Sequence, residues 1–237
     1  MEKEQEHKNI ILGGFLSFSH YYSSMKNRIE EISGEETFIV SVPHLLWYAL
    51  FFPRGWIFIL KKLELTLAET LKSNPQSKVT LIGHSIGGVL SLLYLVCPLF
   101  QGSERRLSQS IVRVITLGSP HKNKCRWLHG GGISRMVGKY GGASRIRNGI
   151  HLTCIAGKGI CGNKEGKSSE KRAYAIYKAV GGKGDVWGDG IIPVASALLS
   201  ESNPIVLENI VHFSNLGQAW YGTPAIVSQW WPMTEAA

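Results

Sequence analysis

The segment 79–96 restricts the fold more than any other part of the chain. An apolar run at 79–82 leads into Gly83-His84-Ser85-Ile86-Gly87-Gly88, and a second apolar run at 89–96 follows at once. Strand, Gly-x-Ser-x-Gly and helix in direct succession predict a very tight strand-to-helix turn. A serine there takes a strained backbone conformation, and its flanking positions have no room for a Cβ against the neighbouring strand and helix. Such a turn presents the Ser85 hydroxyl at the carboxyl edge of a sheet. A helix N-terminus, which favours negative charge, points at the same spot.

The rest of the chain is read around that turn. Strands are expected at 9–12, 37–42, 78–82, 111–117, 150–156 and 204–207. Helices are expected at 19–32, from 57 onward with Leu60, Leu63, Leu67 and Leu71 at helical spacing, through 89–96, at 172–180, at 194–199 and at 216–231 with a break at Pro224. This alternation predicts a single α/β domain over 1–237, with a mostly parallel central sheet of about six strands flanked by helices on both faces. The Gly-rich, basic stretch 121–149 and the Gly- and Lys-rich stretch 157–184 read as loop or cap excursions.

Two surface features bear on partners. The run LLWYALFFPRGWIFIL at 45–60 is broken by Pro53, Arg54 and Gly55 and is shorter than the roughly 20 residues that span a bilayer. A loop followed by a buried helix is expected, with aromatic side chains dipping into a membrane surface as the alternative. The formal charge is +9, and no acidic residue occurs between Glu104 and Glu165. That basic stretch is either a solvated face or an attraction to anionic lipid, where each nearby cation contributes about 1 kcal/mol. No nucleic-acid-binding motif accompanies it. The charged segment 1–9 does not read as a signal peptide. Cys97, Cys125, Cys154 and Cys161 lack paired spacing and read as reduced thiols of a cytoplasmic protein with no zinc site.

A serine hydroxyl becomes a nucleophile only when a base takes its proton, and the base needs an acid group to hold its tautomer. Where this type of turn is used, the chain order is Ser, then Asp or Glu, then His. The chain has only two aspartates, Asp185 and Asp189, and His212 is the one histidine beyond them. Asp189 is favoured, because glycines on both sides let a loop bring its carboxylate inward. Asp185, and behind it Glu201 and Glu208, are the alternatives. Either aspartate also fits a turn or helix cap. An oxyanion needs two preorganised donors. Ile86 N–H is one, and Phe15 N–H, after Gly13 and Gly14 in the loop behind the first strand, is the other. Gly14 lets that loop approach closely. His84 is expected to pack beneath the turn and His121 to line the pocket. His20 and His44 fall near strand-end loops. No metal or cofactor is required.

Together these residues resemble the α/β-hydrolase superfamily, specifically its small lipase-like or esterase-like members. GHSIGG at 83–88, LGSPH at 117–121, GDGIIPVAS at 188–196 and His212 follow that pattern in order. The wider layout is similar to a lipase-like group of cyanobacteria and plant plastids, through Gly14-Phe15-Leu16 and, after His212, Trp220-Tyr221-Gly222 and Trp230-Trp231. The first loop departs from many lipases, with Gly13-Gly14 where His-Gly is common. The resemblance implies a serine esterase or lipase acting on a lipid or other acyl ester through an acyl-enzyme on Ser85. Acyl transfer or thioester hydrolysis by the same three groups is the first alternative. A non-catalytic membrane-binding protein on the same fold is the second.

Overall fold

The computed structural model describes residues 6–100, 105–125, 131–140, 149–214 and 218–235. The strands are β1 (His7–Leu12), β2 (Thr37–Ile39), β3 (Lys78–His84), β4 (Ile111–Leu117), β5 (His151–Lys158), β6 (Ile160–Cys161), β7 (Trp187–Gly188) and β8 (Asn203–Glu208). Six of them form one sheet in the order β2-β1-β3-β4-β5-β8, and every pairing in it is parallel. The remaining two, β6 and β7, pair antiparallel as a short ribbon. The helices are α1 (Ser23–Ser33), α2 (Trp56–Thr70), α3 (Ile86–Val96), α4 (Arg105–Gln109), α5 (Gly131–Lys139), α6 (Ser168–Gly181), α7 (Val194–Ala197) and α8 (Pro224–Glu235).

Alternation along the strands feeds two cores, as a sheet covered on both faces requires. Ile10, Leu12, Val79, Leu81 and Val114 point to one side, against Leu60, Leu63 and Leu67 of α2 and Val89 and Leu93 of α3. Ile11, Ile82, Ile115 and Ile155 point to the other, against Met25 and Ile29 of α1 and Val227, Trp230 and Trp231 of α8. The chain leaves β1 for β2 on one side and returns to β3 on the other. The strand order therefore reverses between β1 and β3, and at such a point the loops beyond the carboxyl ends separate into a crevice. Ser85 and the loop after β1 both open onto it.

Several elements differ from their sequence-based bounds. The second strand stops at Ile39 rather than 42. The first helix opens with a 3-10 turn, Ser19–Tyr22, before α1. The helix expected at 194–199 is a single turn. The terminal helix begins at Pro224 instead of 216, so Pro224 starts the helix where a break had been expected. Proline suits a first turn because its missing N–H would have no partner there. The part of that call at 216–217 lies outside the described residues, as do 126–130 and 141–148 of the basic excursion. The stretch 45–60 is a 3-10 helix, His44–Phe51, and then the start of α2. Trp47, Trp56, Ile59 and Leu60 are buried, but Leu45, Phe51, Phe52 and Phe58 face outward. The expected buried helix is present, with a 3-10 helix where a loop had been expected. Among the described residues no helix is long and apolar enough to cross a membrane.

Trp230 anchors α8 in the core: it is fully buried, and its Nε1 donates to the Tyr221 carbonyl at 2.9 Å. Trp230→Ala is expected to lower unfolding free energy by about 3–5 kcal/mol. Trp187→Ala, at a half-exposed site, should cost no more than about 1 kcal/mol. Urea unfolding of the two variants checks the contrast.

Candidate active site

Ser85 follows β3 and caps α3 with φ 56° and ψ −129°, a region that costs a non-glycine residue about 1–3 kcal/mol. Its surroundings hold it there. Ser85 N–H donates to the Leu117 carbonyl at 2.8 Å, and Gly88 N–H donates to the Ser85 carbonyl at 3.1 Å. A Cβ on Gly87 would collide with the Leu12 carbonyl oxygen, and one on Gly83 with Gly88. The glycines are what allow α3 to start this close to β1 and β3.

His212 reaches the serine from the loop after β8. Its Nε2 lies 2.9 Å from Ser85 Oγ, and its Nδ1 lies 2.7 Å from Asp189 Oδ2. The arrangement fixes one tautomer: Nδ1–H donates to the carboxylate, leaving Nε2 to accept from the hydroxyl. Asp189 is buried and its oxygens are well supplied with donors. Oδ1 accepts from Ile191 N–H at 3.0 Å and Ile192 N–H at 2.7 Å. Oδ2 accepts a second bond, from the Tyr221 hydroxyl at 2.8 Å. The Asp189 carbonyl also accepts from His212 N–H at 2.9 Å, so the aspartate and the histidine are joined through backbone as well as side chain. Asp185 is exposed in its turn. Glu201 and Glu208 are exposed and bonded to Ser200 and Lys158.

The other expected residues divide between two places. Gly14 lies against the serine, since a Cβ there would come 3.0 Å from Ser85 Cβ. Phe15 lines a cavity of about 210 Å³ with Leu16, Ser17, Tyr21, Tyr22, Phe213 and Trp220. Ile86 is the first residue of α3. His84 is fully buried with its ring 4.8 Å from that of His212. His121 instead lines a separate cavity of about 110 Å³ with Val89, Leu92 and Val137, and its Nε2 bonds Thr116 Oγ1 at 2.9 Å. His20 and His44 stack on Phe18.

Sequence reasoning missed two tyrosines. Tyr221 links Asp189 to β5, because its hydroxyl also accepts Gly157 N–H at 2.7 Å. Its signal was present in the Trp220-Tyr221-Gly222 run, but only as part of a resemblance. Tyr22 reads as an ordinary core aromatic of a helical segment.

With this geometry in view, the fold is that of the α/β-hydrolases, and about the first half of the chain is similar to lipases. Residues 11–124 match the family model described as Lipase (class 3). Over 99% of its length the chain is similar in structure to a metagenomic carboxyl esterase, with TM-score 0.60 and 14% identity. Over 97% it is similar to phospholipase PlaB from Legionella pneumophila, with TM-score 0.61 and 12% identity. Over 96% it is similar to a Listeria innocua gene product, with TM-score 0.54 and 14% identity. These alignments span 77%, 64% and 93% of the three proteins. A cutinase-like protein from Cryptococcus sp. is matched over 55% of its length at TM-score 0.36 and 17% identity, covering 50% of this chain. No curated protein matches by sequence.

Two neutral histidines give the fold an acid sensitivity. Burial holds His84 well below the usual imidazole range, with His212 adding to the effect. His121 keeps some surface exposure, yet desolvation of its ring, helped by Lys122, pushes it down to about 3. In the unfolded chain each would take a proton below pH ~6.5. The unfolded state then binds more protons, so stability present above that pH is lost as pH falls. His121 should remove up to about 2 kcal/mol by pH 5, and His84 acts in the same direction. Urea unfolding of wild type and His121→Gln between pH 7.5 and 5 should show the variant's slope shallower by nearly one proton.

Proposed function

We propose that the chain is a serine hydrolase that cleaves carboxylic esters of lipids. The observation that carries this reading is the continuous hydrogen-bonded line from Ser85 Oγ through His212 to Asp189 Oδ2. It stands at the crevice between β1 and β3, on a serine held in a strained conformation. Ser85 Oγ attacks the ester carbonyl as its proton passes to His212 Nε2. Asp189 stabilises the imidazolium that forms. The carbonyl oxygen gathers negative charge beside the N–H groups of Ile86 and Phe15, the two donors assigned to it. The alcohol leaves with the proton from His212. Water, deprotonated by the same nitrogen, then releases the acid and restores the serine.

The lipid part of the reading is supported by the match to the lipase model and by the walls around the serine. The adjoining cavity is lined largely by aromatic rings. Next to it, Phe15 packs edge-on against Trp47, Tyr48 and Phe51. Beyond these, Leu45 and Phe52 are 79% and 69% exposed. Arg54, Lys61 and Lys62 lie nearby in sequence, with no acidic residue between Glu36 and Glu64. Apolar side chains with cations among them suit peripheral contact with an anionic lipid surface.

An active-site-directed fluorophosphonate is expected to label the wild-type chain at Ser85 and to leave Ser85→Ala unmodified. Labelling that persists in Ser85→Ala would defeat the proposal. Asp189→Asn should keep its fold and lose about 10⁴-fold in kcat on a soluble ester, because the amide favours the wrong His212 tautomer. Leu45→Glu with Phe52→Glu should weaken binding to anionic vesicles at least about fivefold. Unchanged sedimentation with vesicles would remove the membrane-contact part alone.

A further inference from the structure

We propose that Tyr22 is a positioning residue for the oxyanion loop, acting with His84; this rests on the serine-hydrolase reading above. The loop 13–17 has a demanding shape. Leu16 sits at φ 58°, a position where a tight turn ordinarily takes glycine. Ser17 closes the turn on the Gly14 carbonyl through its N–H at 3.2 Å and its hydroxyl at 2.7 Å. These bonds fold the loop on itself but do not tie it to the nucleophile. Tyr22 does. Its hydroxyl accepts Gly14 N–H at 2.8 Å and bonds His84 Nδ1 at 2.9 Å. His84 is the residue before Ser85, and Gly14 is the residue against Ser85 Cβ. One phenol oxygen therefore joins the loop after β1 to the turn after β3.

The direction of the bonds follows from burial. His84 is neutral, and the Tyr22 phenol, pushed up to about 12 by burial, keeps its proton. The hydroxyl thus accepts from Gly14 and donates to Nδ1, leaving the hydrogen of His84 on Nε2. That nitrogen faces the backbone carbonyl of His212, although no bond of ordinary geometry forms there. Rings of Tyr22, His212, Phe213, Trp220 and Tyr221 surround His84. A neutral imidazole is also the form the chemistry needs, since a cation there would oppose the imidazolium at His212. With Gly14 N–H committed to Tyr22, the N–H of the next residue, Phe15, is held at a fixed place relative to Ser85.

The test uses the full chain and four variants: Y22F, H84L, H84N and Y22F/H84L. Turnover of a soluble short-chain ester is measured together with inhibition by an alkyl boronic acid, whose tetrahedral serine adduct reports the oxyanion site. Y22F is expected to lower kcat about 10- to 100-fold, part of what removing a whole oxyanion donor costs. KM should stay within about threefold, and boronate affinity should fall by the same factor as kcat. H84L should behave like Y22F, and the double variant should be no worse than the poorer single one, because both remove one shared link. H84N, which keeps an acceptor near the Nδ1 position, should recover about tenfold over H84L. If Y22F does not fold, the comparison of H84N with H84L decides. A Y22F enzyme with near-normal kcat and boronate affinity overturns the proposal, and so do additive losses in the double variant. Failure of the wild type to react with fluorophosphonate would instead sink the serine-hydrolase reading itself.

Discussion

Ser85 occupies a backbone conformation that a serine does not adopt unaided, and much of the neighbouring structure is what keeps it there. Its N–H is taken by the end of β4, its carbonyl by α3, and its flanks are glycines because Leu12 and Gly88 leave no room. Strain of about 1–3 kcal/mol is small against the burial around it. Ile82, Val89 and Leu93 are all fully buried within a turn or two of the serine. The two cores on either side of the sheet therefore act as the clamp, and the turn is the part under load.

The same turn explains why Ser85, His212 and Asp189 meet. Parallel strands bring all their carboxyl ends to one edge, so loops far apart in sequence converge there. Ser85 and His212 are 127 residues apart and Asp189 and His212 are 23 apart, yet none of the contacts needs a long excursion. Asp189 is held firmly. Two backbone N–H groups, a histidine and a tyrosine share its two oxygens, which leaves the carboxylate little freedom to turn away from His212.

What could be read from the sequence was whatever depended on residue type and order. The Gly-x-Ser-x-Gly run between two apolar segments announced strand, turn and helix, and β4 was expected at the bounds it has. The scarcity of aspartate and the single late histidine singled out the residues that the structure brings together. What escaped was whatever depended on distance across the fold. Tyr22 and Tyr221 look like core aromatics, and only the tertiary structure puts their hydroxyls on Gly14 and Asp189. His121 is a related case: following a strand end puts it near the sheet edge, but only the tertiary structure shows its bond to Thr116 and the cavity it shares with residues of α3 and α5. Helix ends also slipped, because local pattern does not reveal that Pro224 can begin a helix as well as break one.

The placement of His212 ties the site to the edge of the sheet. Its loop follows β8, the last strand of the sheet, and β8 pairs only with β5 at the sheet's edge. On the proposed reading, the serine therefore owes its base to the edge strand: whatever loosens β8 from β5 also loosens the loop that carries His212.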